Sequence, residues 1–267
     1  MSAPGQHRLE QVLAGLTPPC VIERHAVLDS TNSHALAVAA RVETVLPRLI
    51  LATEQTAGRG RGAHLWWSGP GALCFTLAID ATDYGLPLSQ WPLIALSLAA
   101  VWCDLLAAPE IDQAAQIKWP NDLYCAGRKL GGILVEPFAC DDGRPSTRLA
   151  IGCGMNVNNR LDQAPRELRT RAISLLELLD RELSLDELLA ELIPQFTAAL
   201  SLLSREPTAL AERWQRRCYL RGRNVTVQEG DRLVRGDCAG LQSDGGLLLT
   251  TEQGPHRCYS GHVVSIA

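Results

Sequence analysis

Apolar residues recur along this chain at two different spacings, and the changeovers mark its organisation. Residues 30–41 place Ala35, Leu36, Val38 and Ala39 at helical intervals, with Asp29 or Ser30 ahead of them as a cap. Shorter apolar runs at 49–53 and 72–79 predict strands, and the mostly apolar stretch 89–107 predicts a buried helix. Strands are expected again at 116–118, 123–125, 129–136 and 148–156, with Ala126-Gly127 as the turn ahead of 129–136. Residues 184–218 return to helical spacing, interrupted at Arg205-Glu206-Pro207. Pro194 falls inside that stretch. It has no N–H to donate and its ring crowds the carbonyl of Ala190, which predicts a kink or a break near Ile193. Short strands are then expected at 224–228, 233–241, 246–250 and 262–266, punctuated by Glu229-Gly230-Asp231 and Ser243-Asp244-Gly245. The pattern describes an α+β fold, a mixed sheet with packed helices, followed by a small β-barrel.

Composition narrows this picture more than it enlarges it. A length of 267 residues suffices for one good core and a small second unit, here an N-terminal segment 1–20, a main body 21–218 and a C-terminal barrel 219–267. The net charge of −4 gives no electrostatic case for a nucleic-acid partner. Residues 1–11 lack the apolar core of a signal peptide. Residues 84–103 carry no charge, but Pro87, Ser89, Gln90 and Pro92 interrupt them. The apolar remainder, 91–103, is short for a bilayer, so a buried helix is expected and no membrane span. Nine cysteines without a C-x-x-C pair predict neither zinc ligation nor a disulfide framework. They read as small buried hydrophobes in a reducing cytoplasm, Cys153 included.

The candidate chemistry lies in two segments. Gln55-Thr56-Ala57-Gly58-Arg59-Gly60-Arg61 alternates glycine with arginine on an expected loop, pairing backbone N–H groups free to turn toward an anion with planar cationic forks. Alone, such a loop is more often a solvated basic turn. Lys118-Trp119-Pro120-Asn121-Asp122 follows further along the chain. Together the two segments resemble the active-site signature of the biotin–protein ligases. Three more segments fit that family in the same order: Asp29-Ser30-Thr31-Asn32, Arg128-Lys129-Leu130-Gly131-Gly132-Ile133-Leu134, and Ile151-Gly152-Cys153-Gly154-Met155-Asn156-Val157-Asn158.

The resemblance implies an ATP-driven enzyme that activates biotin to biotinyl-5′-AMP and transfers it to a lysine of a biotin carboxyl carrier domain. It makes residues 21–218 the catalytic domain and the C-terminal barrel SH3-like. Too few residues precede Asp29 for the winged helix-turn-helix that opens some family members, so a short form without DNA-reading capacity is expected, with a homodimer left open. Ser30, Thr31, Asn32 and Gln55 match positions that hold biotin, whose ureido group must be hydrogen-bonded when buried. A plain helix cap at Ser30-Thr31-Asn32 is the competing reading. Gly58, Arg59, Gly60 and Arg61 would face the biotin carboxylate and the ATP phosphates, and Lys129 would be a second catalytic cation beside Arg61. Lys118 would support the nucleotide, and Trp66 would pack on adenine or simply fill the core. Asp122, next to Asn121, would hold Mg²⁺ or accept a proton from the incoming lysine, unless Pro120-Asn121-Asp122 serves only as a turn. Gly132 belongs to the Lys129 motif, and Gly152, Gly154 and Asn156 would let ligand approach their strand closely. Trp214, Arg216, Arg217, Arg221 and Arg223 form a basic stretch that is either a solvated helix face or a landing site for an acidic carrier.

This chain departs from the family pattern after Arg61. Members continue with a further glycine–basic pair before the tryptophan and then Ser-Pro, whereas here the run is Gly62-Ala63-His64-Leu65-Trp66-Trp67-Ser68-Gly69-Pro70. Arg59 and Arg61 are left with most of the loop's anion contacts, which predicts a loop that is mobile until ligands order it. The rival activities are a lipoate ligase or octanoyltransferase of the same fold, and a non-catalytic biotin sensor. Retention of Lys129 and both arginines argues against the sensor.

Overall fold

A computed structural model describes residues 4–41, 43–107, 114–139 and 146–267. In chain order its elements are α1 (Pro4–Ala14), β1 (Val21–Leu28), α2 (Thr31–Val38), β2 (Arg48–Gln55), β3 (Leu73–Asp80), α3 (Ile94–Leu105), β4 (Gln116–Lys118), β5 (Asp122–Cys125), β6 (Arg128–Pro137) and β7 (Arg148–Met155). Next come α4 (Arg166–Arg169), α5 (Leu175–Leu179), α6 (Leu185–Arg205), α7 (Pro207–Arg216), β8 (Asn224–Glu229), β9 (Arg232–Leu241), β10 (Leu247–Thr251), β11 (Gly254–Cys258) and β12 (His262–Ile266).

Strands β1 to β7 form one seven-stranded sheet in the order β1-β2-β3-β7-β6-β5-β4. Only β1 and β2 run parallel; the other neighbours are antiparallel, so the sheet is mixed as expected. Its two faces are covered differently. One face packs on α3, α6 and α7 through a large apolar cluster that includes Phe75, Leu77, Trp102, Phe196 and Trp214. The other carries only the short helix α2 over a small patch of Ala35, Ala39, Ile50, Ala78 and Ala150. Along β7 this second face steps from Ala150 to Gly152 to Gly154, alternate residues of one strand pointing the same way. Helix α2 covers the alanine, and beyond it the glycines leave the sheet surface hollow.

Strands β8 to β12 form a second, antiparallel sheet in the order β11-β10-β9-β8-β12, consistent with an SH3-like unit. The turn between β9 and β10 docks it onto the main body. The indole N–H of Trp119 donates to Gly245 O at 3.1 Å, and that of Trp214 donates to Gln242 O at 3.1 Å.

Helix α6 corrects one part of an expectation, the break at Pro194. It runs without a break through Pro194, because its buried face, with Leu189, Leu192, Ile193, Phe196 and Leu200, is held by tertiary packing on both sides of the proline. The uncharged stretch at 84–103 divides into a 3-10 turn, Leu88–Leu93, and α3, whose residues from Leu96 to Cys103 are all buried. The window Leu88–Leu105 is apolar and long enough to pass as a membrane span, yet it packs inside the fold. Eight cysteines fall among the described residues, and all are buried.

Candidate active site

The hollow beside α2 is a cavity of about 760 Å³. Its walls bring together Ser30, Thr31, Asn32, Gln55, Arg59, Gly60, Arg61, Trp66, Lys118, Asn121, Asp122, Lys129, Gly132, Gly152 and Gly154, residues from every one of the sequence motifs. The register explains how. Gly154 pairs with Cys74 on one side and Gly132 on the other, and Gly152 with Thr76 and Leu134, so the three glycines share one patch of floor. A side chain at Gly152 would collide with the Asn32 carboxamide, and a Cβ at Gly154 would lie 2.6 Å from the Trp66 ring. Those two side chains, from α2 and from the loop after β2, lie on the glycine floor.

One end of the cavity is polar and uncharged. Ser30 caps α2, and Ser30, Thr31 and Asn32 are only 2, 4 and 3% exposed. The backbone N–H of Thr31 donates to Gln55 Oε1 at 2.8 Å, and its hydroxyl lies 3.2 Å from the same oxygen. The Thr76 hydroxyl is 2.6 Å from Asn32 Oδ1, and Asn32 Nδ2 donates to Glu136 Oε2 at 2.8 Å. Helix capping and cavity lining thus coexist at Ser30.

The other end is cationic. The chain after β2 folds back as a hairpin in which Gly60 N–H donates to His64 O and Trp66 N–H to Gly58 O, both at 2.8 Å. Arg59 Nη2 reaches Glu136 Oε1 at 2.5 Å, so Glu136 links Asn32 at the polar end to Arg59 at the cationic end. Arg61 Nη1 donates to Gly261 O at 2.5 Å, latching the hairpin to the start of β12, where Gly261, His262 and Val263 complete the cavity wall. Gly261 has φ +115° and a Cβ there would lie 2.2 Å from Gln228 O, so no other residue fits that turn. In this conformation the loop expected to be mobile without ligand is a hairpin held by the Arg61 contact.

Lys129 Nζ lies 2.7 Å from Asp122 Oδ1 and 5.8 Å from the centre of the Trp66 ring. Lys118 donates to the Tyr124 hydroxyl at 3.1 Å. Burial, with the Asp122 carboxylate nearby, pushes the Tyr124 phenol up to about 12, so it stays protonated. Lys118 and Lys129 are the only lysines in the sequence, against 23 arginines, and both line this cavity. Among the described lining residues Asp122 is the only carboxylate, already paired with Lys129.

Two sequence candidates lie elsewhere. Gly58 is absent from the cavity wall; a Cβ there would meet Trp66 O at 2.5 Å, so its bareness lets the hairpin close. Asn156 is buried behind the floor, 3.5 Å from Lys129 O and accepting from Asn159 Nδ2 at 3.0 Å, where it holds the backbone that carries Lys129. Asn121 faces the cavity but also straps β6, its Nδ2 donating to Ile133 O at 2.8 Å. Cys153 is inert packing: burial pushes its thiol up to about 12, and Trp102 donates to it at 3.3 Å. Of the basic stretch at the junction, Trp214 is wholly buried and Arg217 is ion-paired to Asp104 at 2.6 Å. Thr76, Glu136, Tyr124 and His262 escaped the motif reading, since sheet register and hairpin closure alone bring them to the site.

Residues 26–156 match the model of the biotin/lipoate A/B protein ligase family, which defines the class as cofactor-attaching ligases. Among individual relatives, the bifunctional ligase/repressor BirA of Bacillus subtilis is 31% identical over 246 residues, 90% of this chain and 72% of that protein. The corresponding Bacillus spizizenii protein is 31% identical, with 65% of its length matched, just under two thirds. The biotin–[acetyl-CoA-carboxylase] ligase of Mycobacterium tuberculosis is 28% identical over 84% of this chain and 81% of its own. The solved biotin protein ligase from Aquifex aeolicus in complex with biotin and ATP superposes with a TM-score of 0.75 at 26% identity, covering 92% of this chain and 98% of that one. The chain belongs to the biotin protein ligase family.

Proposed function

We infer that this chain joins biotin to ATP to give biotinyl-5′-AMP and pyrophosphate, then transfers biotin to a lysine of a biotin carboxyl carrier domain of a biotin-dependent carboxylase. The observation that carries this is the polarity of the cavity beside α2. Hydrogen-bonding groups that are neutral and buried line one end, and Arg59, Arg61, Lys118 and Lys129 line the other. A ureido ring suits the first end, and a carboxylate beside a triphosphate suits the second.

In the first half-reaction a biotin carboxylate oxygen bonds to the α-phosphorus and pyrophosphate leaves. Both reactants are anions, so fixed cations lower the cost of their approach and stabilise charge spreading in the transition state. Arg59 and Arg61 meet those anions by exchanging their present partners, Glu136 and the Gly261 carbonyl. Lys129 lies beside Asp122, a pair able to present a cation to the phosphate and a carboxylate to the arriving amine. In the second half-reaction that amine attacks the biotinyl carbonyl and AMP leaves, with Asp122 placed to take the amine proton. Gly152 and Gly154 make room for Asn32 and Trp66, against which the ring and tail would lie, and Trp66 offers an indole face to adenine. Mg²⁺ would enter with the nucleotide. One paired carboxylate does not make a magnesium cage, and no step here runs through the ion.

Two names among the relatives and solved neighbours, the Mycobacterium tuberculosis ligase and the Aquifex aeolicus structure, support biotin as the substrate. Buried cysteines suit the reducing cytoplasm expected for such an enzyme. The test is ATP–pyrophosphate exchange with biotin and lipoate side by side. Exchange with biotin alone is expected, exchange with lipoate alone would transfer the chain to the lipoate ligases, and exchange with neither would leave the sensor or the octanoyltransferase in its place.

A further inference from the structure

On the exposed flank of α2, away from the cavity, three side chains converge that the reaction does not use. Glu23 and His25 are alternate residues of the edge strand β1 and so share a face. His34 meets them from α2, one turn beyond Thr31. Glu23 Oε1 lies 2.7 Å from His25 Nε2 and 2.6 Å from His34 Nε2, and the two imidazole rings stand 4.6 Å apart, edge to face. Solvent reaches all three, which are 23 to 28% exposed. The other carboxylate oxygen, Oε2, accepts from Arg48 Nη1 at 2.9 Å, which fixes the carboxylate plane and leaves Oε1 turned toward the histidines.

Two imidazole nitrogens and one carboxylate oxygen, all within 4.8 Å of one another, are the donor set of borderline divalent cations. Bonds of about 2.0–2.2 Å in tetrahedral geometry need donor separations of roughly 3.3 Å, so the two contacts to Glu23 need open by only about 0.6 Å. We propose that Glu23, His25 and His34 form a three-ligand site for a zinc-class divalent cation, with solvent completing the coordination. Arg48 acts behind the first ligand, orienting Glu23 at the expense of some affinity. An ion there joins β1 to α2, the helix whose first turn supplies Ser30, Thr31 and Asn32 to the cavity, and so stiffens the polar end of the site from outside. A second cluster, Glu229, His256 and Cys258, is the natural competitor, but its thiol is fully buried and closed to solvent.

The test uses the full chain, tag-free and stripped with chelator, titrated calorimetrically with ZnCl₂ as parent, His25→Gln, His34→Gln and His256→Gln. One equivalent is expected for the parent and for His256→Gln, with affinity at least tenfold weaker in either of the other two. Zinc at a hundredfold excess over Kd should raise the parent's Tm by roughly 5 °C. Co²⁺ offers a check that needs no variant: bound to the parent it should give visible d–d absorption, bleached by one equivalent of zinc. Absence of that absorption, binding unaltered by the His25 and His34 changes, or binding lost only in His256→Gln would each overturn the site.

Discussion

Lys129 is held on a strand, paired with Asp122 at 2.7 Å, and its charge is therefore in place before any ligand arrives. Such preorganised cations act mainly where charge is redistributed, so Lys129→Ala should leave the fold intact and slow adenylate formation about a hundredfold, ~3 kcal/mol of barrier. Pyrophosphate exchange at saturating biotin and ATP measures it, and near-parental turnover would remove Lys129 from the reaction. Arg61 differs, because its bond to Gly261 O ties the hairpin to the C-terminal sheet. Arg61→Gly should retain measurable adenylation yet release biotinyl-5′-AMP faster. Equal dissociation rates of the adenylate from parent and variant would show that Arg61 is no clamp. At this scale the motifs were legible because glycine, arginine and lysine in fixed order constrain chemistry locally. Glu136 was not: its value lies in bridging Asn32 and Arg59, partners far from it in the chain.

Helix α6 accommodates Pro194 although the carbonyl of Ala190 loses its usual donor. Restoring an N–H with Pro194→Ala should therefore stabilise the protein, by about 1–3 kcal/mol, read as a higher urea midpoint with unchanged slope. Asp80 illustrates an element end that does depend on charge. Its Oδ1 accepts from Thr82 N–H at 3.0 Å and from the Thr82 and Thr147 hydroxyls at 2.6 and 2.7 Å. Partial burial pushes its carboxyl up, but those hydrogen bonds and the Arg148 charge outweigh it and hold the group below its ordinary value. A depressed carboxyl contributes its stability above the unfolded value, about pH 4, and loses it as the pH falls through the folded one. Asp80→Ala should cost about 1 kcal/mol at pH 7, and its gap from the parent should narrow below about pH 4. Strands with a clear apolar run were readable to within a residue or two. Strand β1 was not, because Glu23-Arg24-His25 breaks its alternation at a sheet edge, and β11 was hidden by Gly254-Pro255, which reads as a turn. The break expected at Pro194 failed for the same reason in reverse, since local propensity yields to a well-packed face.

At the scale of the whole molecule, the cavity is a seam between two sheets. The β9–β10 turn against Trp119 and Trp214 sets their spacing, and the Arg61 latch closes the mouth. The existence of both sheets could be read from the spacing of apolar residues, but the seam could not, because it depends on contacts such as Trp119 to Gly245. A further consequence lies in where the lysines are. The intermediate inferred here is a mixed anhydride that acylates accessible amines, and any molecule that escapes meets the enzyme's own surface first. Its only side-chain amines are the two lysines, and both are inside the cavity, held by Asp122 and Tyr124; the cationic side chains elsewhere are arginines, with histidines, and the α-amine is the one further primary amine. A guanidinium stays charged at neutral pH and offers no nucleophilic lone pair. Incubated with biotin and ATP but no carrier, beside a lysine-rich bystander, the enzyme should carry no label on its surface side chains by peptide mass mapping, the α-amine apart, while the bystander gains biotin. Arg257→Lys, placed on the outside of the barrel, should acquire the label at that one position. The outward-facing side chains are thereby spared by the enzyme's own product.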